Sequence, residues 1–377
     1  MHLAIVGIRG IPNNYGGFET LAEYLVENLI DDFVITVYCS SKDMNSKLTM
    51  YKGAKLKYIP VSSHGAEGIL YDSLALLDAA KTADKILLLG FGGGYAIPFL
   101  SSKSKSKIIL NIGGLDWKRN KWSPFAKRII KISEMLLMRN AGAIISDNVG
   151  IQKYILKYYH RTSTFIPYGG DQVAKREIDE KAKSDFKFLS KKYAFTVARI
   201  QPDNNIEMII EAFSKRSRLP LVIVGNWNES PYGTDLRKKY AGKENLILLD
   251  AIYDRCKLDL LRSNCTLYVH GHSAGGTNPS LVEAMHLALP IFAFASGYNE
   301  HTTLNKARYF ENSEQLTYLV NHCNIYELHH IGSNLKELAQ RVYVWKDISN
   351  EYKSLILSKS VPNPQIEDYE SAFLAEA

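Results

Sequence analysis

Cysteine is scarce in this sequence, and its spacing fits no metal site. The four cysteines, Cys39, Cys256, Cys265 and Cys323, are far apart along the chain and lie mostly among apolar residues. Cysteines in that setting are more often buried thiols than disulfide partners or zinc ligands. The sequence therefore argues against a disulfide-stapled or zinc-dependent fold, and we expect no bound metal.

Long apolar runs are also missing. No run reaches the roughly 18 to 20 residues that cross a bilayer, and we expect neither a signal peptide nor a transmembrane helix. Hydrophobic residues make up 46% of the chain and charged residues 23%, which is the balance of a globular protein. A length of 377 residues suits two domains of ordinary size. We therefore expect a cytoplasmic protein with two hydrophobic cores.

Two motifs of nucleotide-dependent enzymes are absent. The glycines at Gly7, Gly10, Gly16 and Gly17 do not form the G-x-G-x-x-G fingerprint of dinucleotide binding. The chain also has no D-x-D pair that would hold a divalent cation beside a phosphate. The first absence disfavours a nucleotide-dependent dehydrogenase, and the second disfavours a bound divalent cation.

Acidic residues are few in one stretch of the first half. Between Lys103 and Arg139 there are ten Lys or Arg residues and only two acids, Asp116 and Glu134. Residues 1–165 carry 21 basic and 13 acidic side chains, a net charge of +8. Residues 166–377 carry 25 and 26, a net charge of −1. A partner that needs positive charge should therefore meet the first half.

Aromatic residues are mixed into this basic stretch, a pattern that suits contact with anionic lipid or with an anionic amphiphile. The alternative is a core helix with a solvated basic face. No nucleic-acid-binding module accompanies the charge, so we expect no nucleic acid partner. The residues predicted to contact the acceptor or the membrane are Trp117, Lys118, Arg119, Lys121, Trp122, Lys127 and Arg128.

Strands followed by glycine-rich loops and helices recur along the chain. In the first half, an apolar strand at residues 3–6 leads through the loop 7–17 into a helix, and residues 34–38 form the next strand. This order predicts a β-α-β unit with a parallel sheet, whose ligands bind beyond the carboxyl ends of the strands. Gly16 and Gly17 would lie at that edge, although a glycine-rich turn without a ligand is the alternative.

The stretch 270–290 in the second half has the same organisation. A buried strand before residue 270 leads into a glycine-rich loop, and Asn278 and Pro279 suit the start of a helix. The free N–H groups of a first helical turn favour an anion. Gly275, Gly276, Thr277 and the Ser280 hydroxyl would then face a phosphate, and Glu283 would accept hydrogen bonds from sugar hydroxyls. An ordinary capped helix is the alternative.

Continuous apolar strands in both halves predict two doubly wound α/β domains. A composition shift after residues 164–171 places the boundary there. We predict domains at residues 1–168 and 169–345, followed by a C-terminal segment, 346–377, that returns to the first domain. Residues 342–357 are expected to form one helix.

The motifs in their order resemble a known family. The chain has an N-terminal Gly-Gly loop, the linker Ile-Pro-Tyr-Gly-Gly-Asp, the turn Ala-Arg-x-x-Pro-Asp-Asn-Asn and the segment Gly-Gly-Thr-Asn-Pro-Ser-Leu-Val-Glu-Ala-Met. These are similar to motifs of the GT-B glycosyltransferases of family 4. Residues 8–12, 15–20 and 114–119 resemble the branch of bacterial rhamnosyltransferases that build surface polysaccharides. The resemblance covers nearly the whole chain and implies two Rossmann-like domains that face a central cleft.

This resemblance implies a retaining, metal-independent sugar transfer from a nucleotide-sugar, with dTDP-rhamnose as the first candidate donor. The implied acceptor is a polyprenyl-diphosphate-linked saccharide, which places the protein peripherally on the inner face of the plasma membrane. Asp116 and Asp147 are the candidate catalytic or acceptor-binding acids. The implied donor site comprises Gly16, Gly17, Arg199, Asn204, Asn205, Gly275, Gly276, Thr277, Ser280 and Glu283.

Two positions depart from the general family pattern. Gly275 stands where an acidic residue is usual, and Asn204 stands where a lysine is usual, so Arg199 and backbone N–H groups would neutralise the diphosphate. The alternatives are a GT-B sugar-nucleotide epimerase and a non-catalytic GT-B module of a polysaccharide assembly complex.

Overall fold

The computed structural model describes residues 1–12, 16–45, 47–118, 122–214 and 217–358, and for Asp116 it describes the backbone alone. The chain forms two compact units. The first comprises residues 1–118, 122–167 and 346–358 within these ranges, and the second comprises residues 168–345. The division after Pro167 lies one residue before the boundary predicted from the sequence.

The first unit is built on an eight-stranded sheet with the order β3-β4-β2-β1-β5-β6-β7-β8. Neighbouring strands are parallel except for the antiparallel pair β3 and β4. The strands are β1 (His2–Val6), β2 (Val34–Ser40), β3 (Met50–Tyr51), β4 (Ala54–Ile59), β5 (Lys85–Leu89), β6 (Ile108–Asn111), β7 (Ala143–Ser146) and β8 (Thr164–Phe165). β6 and β7 are buried at every position, which explains their unbroken apolar sequences.

The helices of the first unit connect these strands in sequence. They are α1 (Gly17–Leu29), α2 (Gly65–Thr82), α3 (Ser102–Lys105), α4 (Pro124–Asn140) and α5 (Val149–Tyr159), with 3-10 helices at Gly92–Phe99 and Asp116–Lys118. Because β1, β5, β6 and β7 are parallel, the loops that leave their carboxyl ends share one edge of the sheet.

The second unit contains a six-stranded sheet with the order β11-β10-β9-β12-β13-β14, in which all neighbours are parallel. The strands are β9 (Ala194–Val197), β10 (Leu221–Val224), β11 (Leu246–Leu249), β12 (Leu267–His270), β13 (Ile291–Phe294) and β14 (Arg308–Phe310). The helices are α6 (Glu180–Asp185), α7 (Ile206–Ser214), α8 (Pro231–Lys239), α9 (Arg255–Ser263), α10 (Pro279–His286), α11 (Tyr298–Thr303), α12 (Ser313–His322) and α13 (Ile325–Val342). Short 3-10 helices lie at Lys187–Ser190 and Pro202–Asn204. Both units are thus α/β, as the sequence predicts.

The last described helix, α14 (Trp345–Leu357), belongs to the first unit from Lys346 onward. The helix predicted over 342–357 is present as α14, but it begins at Trp345, because α13 ends at Val342 and the chain turns between the two. The carbonyl of Tyr343 accepts from the Gly170 backbone N–H at 2.9 Å and contacts His286 Nε2 at 2.9 Å. That carbonyl is therefore not available to continue a helix.

Candidate functional site

The loop between β12 and α10 is the centre of the candidate site in the second unit. Asn278 caps α10, and its side-chain oxygen accepts from the Ser280 backbone N–H at 3.1 Å and from the Ser280 hydroxyl at 2.8 Å. The helix begins at Pro279, as predicted. The Ser280 hydroxyl, predicted to face a phosphate, instead donates to the cap, and only its oxygen lone pairs remain to accept a further hydrogen bond.

Gly275 provides open space in this loop. Its φ of +131° favours glycine, and no other atom lies within 4 Å of the point that a Cβ would occupy. Gly276 and Thr277, by contrast, are buried. A ligand that approached this loop would therefore meet backbone at Gly275, next to the first turn of α10.

The turn from Arg199 to Asn205 is bonded directly to the same loop. The Asp203 carbonyl accepts from the Ser273 backbone N–H at 2.9 Å and from its hydroxyl at 2.8 Å, and the Asn205 side chain donates to the Gly271 carbonyl at 2.9 Å. The Asn204 side chain donates to the Arg199 carbonyl at 2.7 Å. The structure thus brings the predicted residues of this turn together with the glycine-rich loop.

Glu283 lies in α10 with an exposed side-chain fraction of 18%, and protein groups contact both of its carboxylate oxygens. Gln172 Nε2 donates to Oε1 at 2.6 Å, and the guanidinium of Arg262 pairs with Oε2. Arg262 is only 2% exposed. Burial alone would lower the pKa of Arg262, but the charge of Glu283, with smaller contributions from Tyr268 and Asp259, raises it. Arg262 is therefore a permanent buried cation beside the carboxylate.

In the first unit, Gly16 and Gly17 form the N-terminus of α1, at the loop that leaves β1. Gly16 has φ of +129°, and a Cβ there would lie 1.9 Å from the Glu19 carboxylate. Glu19 Oε1 accepts from the Arg9 backbone N–H at 3.1 Å. Only glycine fits at this position, because both the backbone angle and the nearby carboxylate exclude a side chain.

Asp72 of α2 is a second acid at this edge of the sheet, and the sequence analysis did not identify it. Its carboxylate lies against Gly92, where an added Cβ would approach Oδ2 to 1.8 Å. Burial, together with the charge of Glu19, raises the pKa of Asp72 to about 8. Asp72 is therefore mostly a neutral carboxylic acid at pH 7, able to donate a hydrogen bond.

The candidate acceptor residues differ in their accessibility. Asp116 begins the 3-10 helix Asp116–Lys118, and Asp147 follows β7 with an exposed fraction of only 7%. Among the predicted contacts, Lys118 and Arg128 are exposed, whereas Trp117, Trp122 and Lys127 are partly buried. Arg119 and Lys121 lie outside the described residues.

Neither a metal site nor a membrane-spanning helix is evident in the part of the chain that the structure describes. No three His, Cys, Asp or Glu side chains there are grouped so that they could hold a metal ion. Within the same residues, no helix combines the length and the apolar character that crossing a bilayer requires.

The two halves of the chain match two different protein-family models. Residues 1–171 match the model described as Domain of unknown function (DUF1972), and residues 177–321 match the model described as Glycosyl transferases group 1. The match to the glycosyl transferases group 1 model lies within the second unit. No curated protein matches the chain at the sequence level.

Similar solved structures show the fold of the chain. The chain is similar to sucrose-phosphate synthase from Thermosynechococcus elongatus, with 15% identity, a TM-score of 0.78 and 99% of each chain covered. It is also similar to Anabaena HepE in complex with UDP and glucose, with 15% identity, a TM-score of 0.73 and coverage of 94% of this chain and 99% of that one. At such identities the likeness shows the fold alone, and the fold is GT-B with two Rossmann-like domains.

Two residues that contact Glu283 lie far from it in the sequence. Arg262 and Gln172 lie 21 and 111 positions from Glu283, so no local motif links them to it. The sequence offers one signal for Arg262, a charged residue directly after the apolar Leu261. In the structure, the buried residues of α9 are Asp259, Leu261 and Arg262. A buried arginine on a helix usually indicates a buried acidic partner.

The first unit contains another buried acidic side chain, Glu134, to which no sequence pattern gives a role. Glu134 of α4 is fully buried, and its Oε1 accepts from Lys131 Nζ at 2.6 Å, from the Tyr154 hydroxyl at 2.6 Å and from the Tyr159 hydroxyl at 2.5 Å. Lys131 Nζ also lies 4.5 Å from the ring centroid of Trp117. This cluster joins α4 and α5 and holds Trp117 by a cation–π contact.

Proposed function

We propose that this protein is a retaining glycosyltransferase that moves a sugar from a nucleotide-sugar to a lipid-linked saccharide in bacterial surface polysaccharide synthesis. The proposed donor is dTDP-rhamnose, and the proposed acceptor is a saccharide on a polyprenyl diphosphate. The observation that carries the proposal is the junction in the group 1 domain, where the turn 199–205 is hydrogen-bonded to the loop before α10, next to Glu283.

The chemistry of sugar transfer explains this arrangement. When the bond between the anomeric carbon and the diphosphate breaks, negative charge grows on the leaving phosphate and the sugar becomes oxocarbenium-like. The Arg199 guanidinium and the positive end of the α10 dipole are the positive groups proposed for that phosphate. Glu283 would accept hydrogen bonds from hydroxyls of the nucleotide-sugar. The solved HepE complex with UDP-glucose supports a nucleotide-sugar as the class of donor.

The departure at residue 204 has a structural meaning in this proposal. The Asn204 amide holds the Arg199 carbonyl, so it fixes the shape of the turn and supplies no charge to the diphosphate. Arg199 and backbone N–H groups would then provide the stabilisation, and no metal is required. A non-catalytic binding module is the second candidate, because the charges expected at 204 and 275 are both missing.

The acceptor would bind in the basic first unit, with Asp116 as the first and Asp147 as the second candidate for an acceptor-binding or basic residue. One face of α4 supports contact with a membrane. Phe125, Arg128 and Ile132 are all exposed and stand at helical spacing, with exposed fractions of 74% for Phe125 and 38% for Ile132. An apolar face with basic residues suits an anionic lipid surface, here the inner face of the plasma membrane.

The decisive experiment measures nucleotide release from dTDP-rhamnose, UDP-glucose and UDP-N-acetylglucosamine, with and without a polyprenyl-diphosphate-linked acceptor. We expect acceptor-dependent release of dTDP. Replacing Glu283 by Gln keeps the side-chain shape but removes the charge, and should lower kcat/KM about 10- to 100-fold, the effect of losing a hydrogen bond to a charged group.

The matched control is Glu327→Gln, which disrupts an ion pair with Arg308 on the surface of the same unit, where the atoms are 2.7 Å apart. Such pairs contribute little to stability, so this variant should react like the wild type. Release of nucleotide from none of the donors would overturn the enzymatic proposal and favour the binding module.

A further inference from the structure

The Glu283 carboxylate is one end of a chain of hydrogen bonds that leads to Trp345. Gln172 donates through Nε2 to Glu283 Oε1 at 2.6 Å, and its own carbonyl oxygen accepts from Trp345 Nε1 at 2.7 Å. Because the Trp345 N–H can only donate, it fixes which end of the Gln172 amide faces the carboxylate. Trp345 thus determines that Glu283 meets an N–H and not a carbonyl oxygen.

Trp345 is itself held by several neighbours within the second unit. Its backbone N–H donates to Asp171 Oδ1 at 2.9 Å, and its ring packs edge-on against Tyr168 at a centroid distance of 4.7 Å. A Cβ at Gly169 would lie 2.4 Å from the indole ring, so glycine is required there. Trp345 is 3% exposed and has little freedom to move.

The segment that carries Gln172 is fixed on its other side by α9, the helix of Arg262. The Ala174 backbone N–H donates to Asp259 Oδ2 at 3.1 Å, and the Arg176 backbone N–H donates to the Ser263 hydroxyl at 3.1 Å. Gln172 and Arg262 therefore approach Glu283 from two anchored elements. Each carboxylate oxygen receives one protein donor and keeps a lone pair for a ligand.

We propose that Trp345, Gln172 and Arg262 are positioning residues for the nucleotide-sugar, which orient the Glu283 carboxylate toward the hydroxyls of the donor. This inference rests on the proposed contact between Glu283 and the donor. Trp345 is the last residue of the second unit before the chain re-enters the first at Lys346. The orientation of the donor-binding carboxylate thus depends on the residue at which the chain leaves the second unit.

The test is a double-mutant cycle on donor affinity, measured by calorimetry on the full-length protein with the nucleotide-sugars UDP-glucose and dTDP-rhamnose as separate probes. Trp345→Phe keeps an aromatic ring against Tyr168 and removes only the N–H to Gln172. It should weaken binding of the recognised nucleotide-sugar about two- to tenfold, the range for one hydrogen bond. In a Glu283→Gln background the same replacement should have no further effect.

A matched control tests whether the loss of any buried indole hydrogen bond weakens nucleotide-sugar binding in a way that depends on Glu283. Trp227 is fully buried in the same unit and donates through Nε1 to the Leu249 carbonyl at 2.8 Å. Trp227→Phe should lower the melting temperature, and any change in affinity should be the same with and without the Glu283 change. Gln172→Leu, which removes both links of the chain, serves as a second variant if Trp345→Phe does not fold.

The two hypotheses fail in different ways. If Glu283→Gln binds both nucleotide-sugars as tightly as the wild type does, the proposed contact between Glu283 and the donor is wrong. The positioning role is wrong if Glu283→Gln weakens binding but Trp345→Phe and Gln172→Leu bind like the wild type. It is also wrong if their effects add to the effect of Glu283→Gln. Non-additive loss in both cycles supports the inference.

Discussion

His270 ends β12 with an exposed fraction of 1%, and neither of its ring nitrogens has a hydrogen-bond partner. It stacks on His272 at a centroid distance of 4.5 Å and on Tyr268 at 6.1 Å. Because burial disfavours the charged imidazolium, the pKa of His270 is lowered from 6.5 to about 3. The folded protein therefore holds this ring neutral next to the glycine-rich loop.

The lowered pKa of His270 predicts a loss of stability in acid. Between about pH 6.5 and pH 3 the unfolded chain binds a proton at this residue that the folded chain does not, so the free energy of unfolding falls as the pH falls. Replacing His270 by Phe should reduce this dependence and cost less than about 1 kcal/mol at pH 7, since a buried group without hydrogen bonds is replaced by an apolar one. Urea unfolding of both proteins at pH 7.5 and pH 5 measures the change in the free energy of unfolding. An equal change in both proteins would show that His270 does not cause the loss of stability in acid.

Individual site residues differ in how far the sequence could reveal them. Glu283 and Asn278 belong to a local motif, because a helix start determines what lies within one turn of it. Arg262 and Gln172 reach Glu283 only through the packing of α9 and of the segment after Gly170. A single sequence contains no information on such long-range pairs beyond the charged residues themselves, and α9 buries Asp259 as well as Arg262.

Among the elements, the buried parallel strands were the best predicted. β1 and β2 cover the strands predicted at residues 3–6 and 34–38, because a short apolar run between turns has few other interpretations. The antiparallel pair β3 and β4 was not predicted, since β4 is partly exposed and alternates with lysine. No prediction covered α2 either, although its buried Tyr71, Ala75 and Ala79 stand four positions apart and indicate a helix.

Close packing between the 3-10 helix Gly92–Phe99 and α4 gives an element-scale prediction. A Cβ at Gly94 would lie 2.4 Å from the Ser133 backbone oxygen, whereas a Cβ at Gly93 would lie 3.2 Å from a methyl group of Leu76. Backbone cannot move aside as a leucine methyl can. Gly94→Ala should therefore destabilise the first unit by about 2–3 kcal/mol, and Gly93→Ala by less than 1 kcal/mol. Thermal unfolding of the two variants compares them, and equal melting temperatures would show that α4 can shift.

For the whole molecule, length, charge and repeated strand-glycine-helix units were sufficient to predict two α/β domains. The proposed donor chemistry rests on a motif in residues 270–290, which lie within the range that matches glycosyl transferases group 1. The transferred sugar and the acceptor could not be derived in the same way. They depend on the shape of surfaces to which many distant residues contribute, and on the half that matches a domain of unknown function.

The uneven charge of the chain leads to the last prediction. Residues 1–165 carry a net charge of +8, and the exposed Phe125, Arg128 and Ile132 of α4 combine apolar and basic character. We expect the full-length protein to co-sediment with vesicles that contain phosphatidylglycerol, more than with pure phosphatidylcholine, and to be released by high salt. The triple variant Phe125→Ser, Arg128→Glu, Ile132→Ser should bind about tenfold more weakly or worse, because it loses both the apolar and the electrostatic contribution.

A control variant distinguishes this face from general surface hydrophobicity. Tyr326 in α13 of the second unit is 86% exposed, and Tyr326→Ser should leave vesicle binding unchanged. If the triple variant binds phosphatidylglycerol vesicles like the wild type, α4 is not the contact. A different result supports the prediction: the triple variant loses vesicle binding and turnover with the polyprenyl-linked acceptor, but keeps full turnover with a water-soluble acceptor analogue. The loss then lies in reaching the membrane and not in the chemistry of transfer. That combination would link the charge of the first unit to the lipid-linked acceptor.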